Sequence, residues 1–560
     1  MNVPPGSALF LLLSVFLFKV LAAPVVKISQ GFLKGTILQS RKGRNVSAFI
    51  GIPYGQPPSG KLRFRSPLPA KSWNGIRFAN KEANVCSQNY YGTYIGAEDC
   101  LYLNVFTPIL EFGYPKDNGT LKNNLLPVMV YVHGGGFSQE SSNLTAYSPK
   151  YLIDRDIIFV SMNYRLGVLG FLSSGDTVAP GNFGLKDQKL ALEWVKKNIR
   201  AFGGDSNRVT VFGNSAGAAC VNLLALSDAT DGLFQQYIIQ SGSMMSNWGF
   251  RENTQFKPFI TDIAKKVGCP RINSKILIKC LKSKNVRKIM DAVLDTTEEY
   301  SEMPWLPTNE MESNDAILTD SPLNLLAKNK MKDLPFLTGN TIDEGLIFTF
   351  EYYGNFPSTP MVEYLEEYIN FTSNFYMKPD LTKYRNLVQN FYFTRPITSM
   401  NENELLKNFT KFGGDTTFLY PQMILLDKMV KTVKSPIYFY SFGYRGNTTL
   451  MTMDFNVTEN IGVGHAEELL YLFPKGFEGT FPKQDESIVN LMVDLWTSFA
   501  INGKPTSDEM DDPNLWIPYN KNGHFLQIGN IKNNTDGSVT LDRDYLSDRM
   551  NFWRENFPMP

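Results

Sequence analysis

RVTVFGNSAGAACVNLLAL, residues 208–226, places a short β-rich run, a glycine-flanked turn and a run of small apolar residues in direct succession. Val209 to Phe212 is β-branched and aromatic, the composition of a buried strand. Ala216 to Leu226 is dominated by Ala and Leu, the strongest helix formers. Between them Gly213-Asn214-Ser215-Ala216-Gly217 is a G-x-S-x-G set, and its position between strand and helix makes the pattern specific. A turn this tight brings the side chains two before and two after the serine into collision, and glycine at both positions removes the clash. Ser215 is then presented at the strand's end, where the helix begins, as a candidate nucleophile.

Outward from this turn, β-rich runs alternate with helical ones from about residue 125 onward: LPVMVYV, IIFVSMNY, RVTVFG, QYIIQSG, LPFLTGN and SPIYFYSF. Several are almost continuously apolar, as strands covered on both faces are. LKDQKLALEWVKKNIRAFGG spaces Leu190, Trp194 and Ile199 near the helical period, carries basic residues late and meets Gly203 as a stop. The expectation is an α/β fold, a large mixed central sheet covered by helices. No internal repeat, charge block or linker divides the chain, so residues 23–560 read as one domain.

A serine hydroxyl is a weak nucleophile and requires a base that takes its proton and returns it to the leaving group. The chain has three histidines. His133 opens HGGGF, where glycines suggest another use, and His524 sits in a turn-like NGHFLQIG with the look of an exposed hairpin residue. His465, in GVGHAEELLYLF, is the base by elimination. The imidazole needs a carboxylate partner; GNTIDEG after a buried-type strand offers Asp343 and Glu344, and spacing does not separate them. Gly134-Gly135-Gly136 after the strand LPVMVYV lets backbone N–H groups approach a developing oxyanion, and Ala216, next to the nucleophile, adds one more.

Composition narrows the partners. With 55 basic and 54 acidic residues the net charge is +1, which gives no footprint for a nucleic acid. Residues with metal-site spacing are absent, so neither metal nor cofactor is expected. The apolar run Ala8 to Phe18 is too short to span a bilayer and reads as a signal peptide over residues 1–22, cut after Ala22. No later stretch is long enough for a membrane anchor, so the mature protein is expected to be secreted. In an oxidising compartment Cys86 with Cys100 and Cys269 with Cys280 are each placed to close a short loop, leaving Cys220 as a buried unreactive thiol. Sequons at Asn45, Asn118, Asn143, Asn370, Asn408, Asn447, Asn456 and Asn533 are candidate glycosylation sites.

FIGIPYGQPPSGKLRF, EDCLYLNVFTP, VYVHGGGF, NYRLGVLGF, GNFGLKDQKLALEWV, VTVFGNSAGAA, QSGS, GNTIDEG, GVGHAEEL and FAINGKP follow one another in order. Together they make the chain resemble a type-B carboxylesterase of the cholinesterase family over nearly all its mature length. The resemblance implies an α/β-hydrolase fold and a serine esterase acting on small-molecule esters. It assigns the acid to Glu344 and the oxyanion hole to Gly135, Gly136 and Ala216. It also makes the two local Cys pairs disulfides and pairs Arg63 with Glu98 and Arg165 with Asp187. Two departures bear on specificity. The Cys86–Cys100 loop holds no tryptophan, only tyrosines, and Asn214 stands where cholinesterases have glutamate. Asn214 and HAEEL look closer to insect secreted esterases of juvenile-hormone, antennal and venom types. Trp248 and Trp305 fall in regions that line the acyl side in relatives, or else are core. The same family contains neuroligin-like adhesion proteins that have lost the serine, the alternative reading for this chain.

Overall fold

The computed structural model describes residues 22–90, 92–112, 125–300, 303–355, 360–376, 380–455, 458–477, 479, 481–519 and 522–559. The leader up to residue 21, Tyr91, and the sequons Asn118 and Asn456 lie outside them. Eleven strands form the central sheet: β1 Thr36–Gln39, β2 Asn45–Pro53, β3 Tyr102–Thr107, β4 Leu126–Val132, β5 Ile158–Met162, β6 Gly204–Asn214, β7 Gln236–Gln240, β8 Phe336–Thr341, β9 Ile437–Phe442, β10 Phe525–Ile528 and β11 Val539–Asp542. Their spatial order is β11-β10-β9-β8-β7-β6-β4-β5-β3-β2-β1. Strands β5, β4, β6, β7, β8, β9 and β10 pair parallel, while both edges are antiparallel.

The parallel centre follows from its apolar runs. Along β4, Val128, Val130 and Val132 join a core with helix Phe183–Asn198, which contributes Leu185, Leu192 and Val195, and with helix Ala216–Leu226. Met129 and Tyr131 point the other way, into a second core with Val489, Met492 and Trp496 of helix Lys483–Asn502. Such a strand is buried on both faces, and each large side chain removed from water stabilises the fold by about 1.5–3 kcal/mol. Helix Phe183–Asn198 buries Leu190 and Trp194, and the chain leaves the following 3-10 turn through Gly203 at φ 87°.

The N-terminal third, ahead of the alternation read from about residue 125 onward, holds short strands that the sequence reading did not mark. Val25–Ile28 pairs antiparallel with Gly31–Lys34, which pairs in parallel with Ile76–Phe78, and a small antiparallel hairpin, Gln88–Tyr90 with Thr93–Ile95, sits inside the first cysteine loop. These strands are short and half-exposed, so they lack the continuous apolar signal of the centre.

Cys86 is bonded to Cys100 and Cys269 to Cys280. Cys220 is free and buried, and burial pushes its thiol up to about 12. Arg63 clasps Glu98 through two hydrogen bonds (2.6 and 2.7 Å) and also donates to the Leu281 and Lys284 carbonyls, tying the two disulfide loops together. Arg165 clasps the fully buried Asp187 in the same bidentate way. Asn370, Asn447 and Asn533 are exposed; Asn45, Asn143 and Asn408 are half-buried. Among the described residues no helix is long and apolar enough to cross a membrane.

Candidate active site

Strand β6 ends at Asn214 and the helix begins at Ala216, so one residue makes the entire turn. Ser215 adopts φ 58° and ψ −126°, a conformation that costs a non-glycine residue roughly 1–3 kcal/mol. The surroundings hold it there. Its N–H donates to the Gln240 carbonyl (2.8 Å) and its own carbonyl accepts from Ala219 N–H (3.0 Å). A Cβ on Gly213 would lie 2.7 Å from the Val132 carbonyl oxygen, and one on Gly217 only 2.2 Å from the same atom. Only glycine fits on either side. From Val209 to Ser227 every residue is buried except Ser215.

His465 Nδ1 lies 2.6 Å from Glu344 Oε2. Glu344 is fully buried, and its other oxygen accepts the Thr341 N–H at 2.8 Å, which orients the carboxylate at the end of β8. With Nδ1–H donating to the carboxylate, Nε2 is the nitrogen left to accept a proton. The neighbouring Asp343 bonds to backbone instead. Its Oδ2 accepts from Val463 N–H at 3.0 Å and its N–H donates to the Val463 carbonyl. Asp343 therefore pins the segment leading into His465, and burial pushes its carboxyl up.

The glycine loop packs directly on the serine turn. A Cβ on Gly134 would meet Ser215 Cβ at 3.1 Å and the Asn214 carbonyl oxygen at 2.8 Å. Gly135 and Gly136 take φ of 93° and 57°, a left-handed path that keeps the main chain against Ser215. Among the described residues no acceptor takes the N–H groups of Gly135, Gly136 or Ala216.

The other two histidines are structural. His133 is buried, its ring stacked on Tyr164 (4.4 Å, 22°) and its Nδ1 3.0 Å from the Gly134 carbonyl; burial pushes it down to about 4, so it is neutral. His524, expected at an exposed hairpin, is instead buried, and its Nε2 accepts from Arg543 Nε at 2.8 Å. The turn preceding β10 directs this side chain inward, which the local sequence does not reveal.

Three residues near the site carried little or no sequence signal. Trp248 contacts Phe137 (6.2 Å between centroids) and Phe418 (5.6 Å), and Phe418 packs on the His465 ring at 4.6 Å. Trp248 thus belongs to an aromatic wall that reaches the imidazole. Trp305, by contrast, is core between Phe256 and Phe259. Phe418 lies in a π-helical turn, Asp415–Leu419, an irregularity common at functional sites. Glu468 is the third, and its partners are far away in sequence. Among the described residues no cluster of three or more His, Cys, Asp or Glu side chains is placed to hold a metal.

The sequence pattern of the Carboxylesterase family matches residues 22–553. The chain belongs to that family. Among carboxylesterase-family relatives, a juvenile hormone esterase of Tribolium castaneum is 34% identical over 587 residues, covering 96% of this chain and 95% of the relative. Neuroligin-2 of Mus musculus is 31% identical over 96% of this chain and 68% of its own length. The crystal structure of juvenile hormone esterase from Manduca sexta, with OTFP covalently attached, superposes with a TM-score of 0.82 at 25% identity, over 95% of this chain and 99% of that one. The α/β-hydrolase fold and the likeness to insect carboxylesterases expected from the sequence are therefore shown.

Proposed function

We propose that the protein is a secreted serine carboxylesterase that hydrolyses neutral carboxylic esters through an acyl-enzyme intermediate. Ser215 Oγ attacks the acyl carbon while His465 Nε2 takes its proton and Glu344 stabilises the imidazolium. The oxyanion is met by the N–H groups of Gly135, Gly136 and Ala216, each such donor being worth about 3 kcal/mol. The imidazolium then gives its proton to the departing alkoxide, leaving the acyl group on Ser215. A water, deprotonated by the same nitrogen, releases the acid and regenerates the serine.

The observation that carries this reading is the joint geometry of Ser215, held in a strained turn as the only accessible residue of its stretch, and the short Glu344–His465 hydrogen bond. An adhesion protein of the neuroligin kind has no need of that strain, and retention of all three residues with the glycine loop favours the enzyme. Secretion, cleavage after Ala22, a single domain over residues 23–560 and glycans on the eight sequons belong to the same proposal, supported by the two disulfides. Within the enzymes, juvenile-hormone, odorant and venom esters are the candidate substrate classes. Turnover of p-nitrophenyl and naphthyl esters of graded acyl length, with Ser215→Ala as control, tests the reading. Hydrolysis that survives Ser215→Ala rules it out.

A further inference from the structure

The short N-terminal sheet has one face in the core and one in water. Val25–Ile28, Gly31–Lys34 and Ile76–Phe78 lie side by side in that order, with Ile76–Phe78 at the edge. Val26, Ile28 and Leu33 point inwards and join the first core. The register sets Val25 beside Lys34, Lys27 beside Phe32, Ile76 beside Phe32 and Phe78 beside Lys34, so these six side chains share the outer face. Phe78 is 66% exposed and Ile76 53%. Lys27 Nζ stands 5.6 Å from the centroid of the Phe32 ring, and Lys34 Nζ 5.8 Å from that of Phe78.

The charge of this region has one sign. Residues 22–81 hold eleven Lys and Arg and no Asp or Glu, and Glu82 is the first acid of the chain, although the whole protein is nearly neutral at +1. Arg41, Arg44 and Arg63 are matched by acids from later segments, but Lys27 and Lys34 form no ion pair among the described residues. Ser29 Oγ donates to Asn198 Oδ1 at 2.8 Å. That bond brings alongside the basic end of helix Phe183–Asn198, with Lys197 exposed, and the exposed Arg200 just after it. Asp205, the acid close to Arg200, is bonded to Arg208.

We propose that this outer face docks the protein on a lipid surface with anionic headgroups. Ile76 and Phe78 enter the headgroup boundary, and the lysines beside them meet phosphate and carboxylate groups. The apolar side chains decide between a lipid surface and a soluble polyanion: a polyanion attracts the lysines but leaves Ile76 and Phe78 in water. A second copy of the chain fits less well, because a two-fold contact through this face would crowd the same lysines into one interface. Docking does not depend on the serine-esterase reading; where that reading holds, it brings the enzyme to hydrophobic esters dissolved in lipid.

Co-sedimentation of the secreted protein with vesicles of phosphatidylcholine alone, and of phosphatidylcholine with about a third phosphatidylserine, tests the docking. The parent is expected to bind the anionic vesicles and not the neutral ones, and to bind less as salt rises. Lys27→Gln with Lys34→Gln is expected to weaken binding about 25-fold, at about fivefold per lysine. Ile76→Gln with Phe78→Gln keeps the charge and is expected to weaken it at least about tenfold. Urea midpoints establish that each variant folds, and the single variants Lys27→Gln and Phe78→Gln, both at exposed positions, carry the test where a double variant does not. Parental vesicle binding in the lysine or the apolar variants, or no binding by the parent at low salt, overturns the proposal. Retention on heparin without vesicle binding would overturn it in favour of a soluble polyanion. A dimer in ultracentrifugation that the apolar double variant dissociates, again without vesicle binding, would overturn it in favour of a second copy.

Discussion

At the scale of single residues, two acids that adjoin in sequence have separate duties. Glu344 bonds the imidazole and Asp343 bonds the backbone before it. Ser215→Ala and His465→Ala are each expected to lower kcat by several thousandfold without hindering folding, and the double variant to be little worse than either, because the residues act as a unit. Glu344→Gln should be severe and Asp343→Asn mild in kcat; the reverse order would transfer the acid role to Asp343. His133 supplies a stability test. Held neutral down to about pH 4 by burial, it binds no proton in the folded state between about 4 and 6.5, where the unfolded histidine does. Stability therefore rises with pH through that window, and about 2 kcal/mol from this residue is lost between pH 7.5 and 5. Urea midpoints at the two pH values, for the parent and for His133→Asn, measure it; an unchanged difference in the variant would count against the buried neutral histidine. The serine turn was readable from the sequence because its constraint spans five consecutive residues. Glu468 was not: HAEEL shows the residue, but Asn214 and Gln240, which donate to its carboxylate, lie 254 and 228 positions away.

At the scale of elements, the central parallel strands were legible and the short strands of the N-terminal third were not. A strand such as Leu126–Val132 is apolar throughout because both faces are covered, whereas Val25–Ile28 alternates exposed and buried over four residues and resembles a loop. Ion pairs that join elements were equally invisible without the resemblance. Lys186, buried in helix Phe183–Asn198, meets Glu310 at 2.5 Å, and Glu310 Oε1 also accepts from Asn182 Nδ2 and Ile317 N–H. This fastens the segment around Trp305 and Thr308 to the helix. Lys186→Met leaves the Glu310 carboxylate buried without its cation, and should cost about 3–5 kcal/mol in urea unfolding. A loss below about 1 kcal/mol would show that the pair does not hold the segment.

At the scale of the whole molecule, the first disulfide loop and the serine turn together set the expected preference for neutral esters. The loop offers no tryptophan face for a quaternary ammonium, and the ring of Tyr94 already carries Arg287 at 5.8 Å from its centroid. Cation–π contact is worth about 0.5–2 kcal/mol or more when desolvated, and neutral Asn214 withholds a second attraction. The kcat/KM for a neutral thioester should exceed that for acetylthiocholine by at least about tenfold; a clear preference for the choline ester would reverse this account of the site. Substrate identity is the part least legible in sequence, because the aromatic wall of Phe137, Trp248 and Phe418 is gathered from three distant segments. The claim on which everything else depends is that Ser215 is the nucleophile. Incubation with a fluorophosphonate, followed by peptide mass mapping, tests it most directly. One adduct per chain on Ser215, formed in step with loss of esterase activity and absent in Ser215→Ala, is the predicted result, whereas inactivation with the adduct on another residue, or full activity with Ser215 modified, would contradict it.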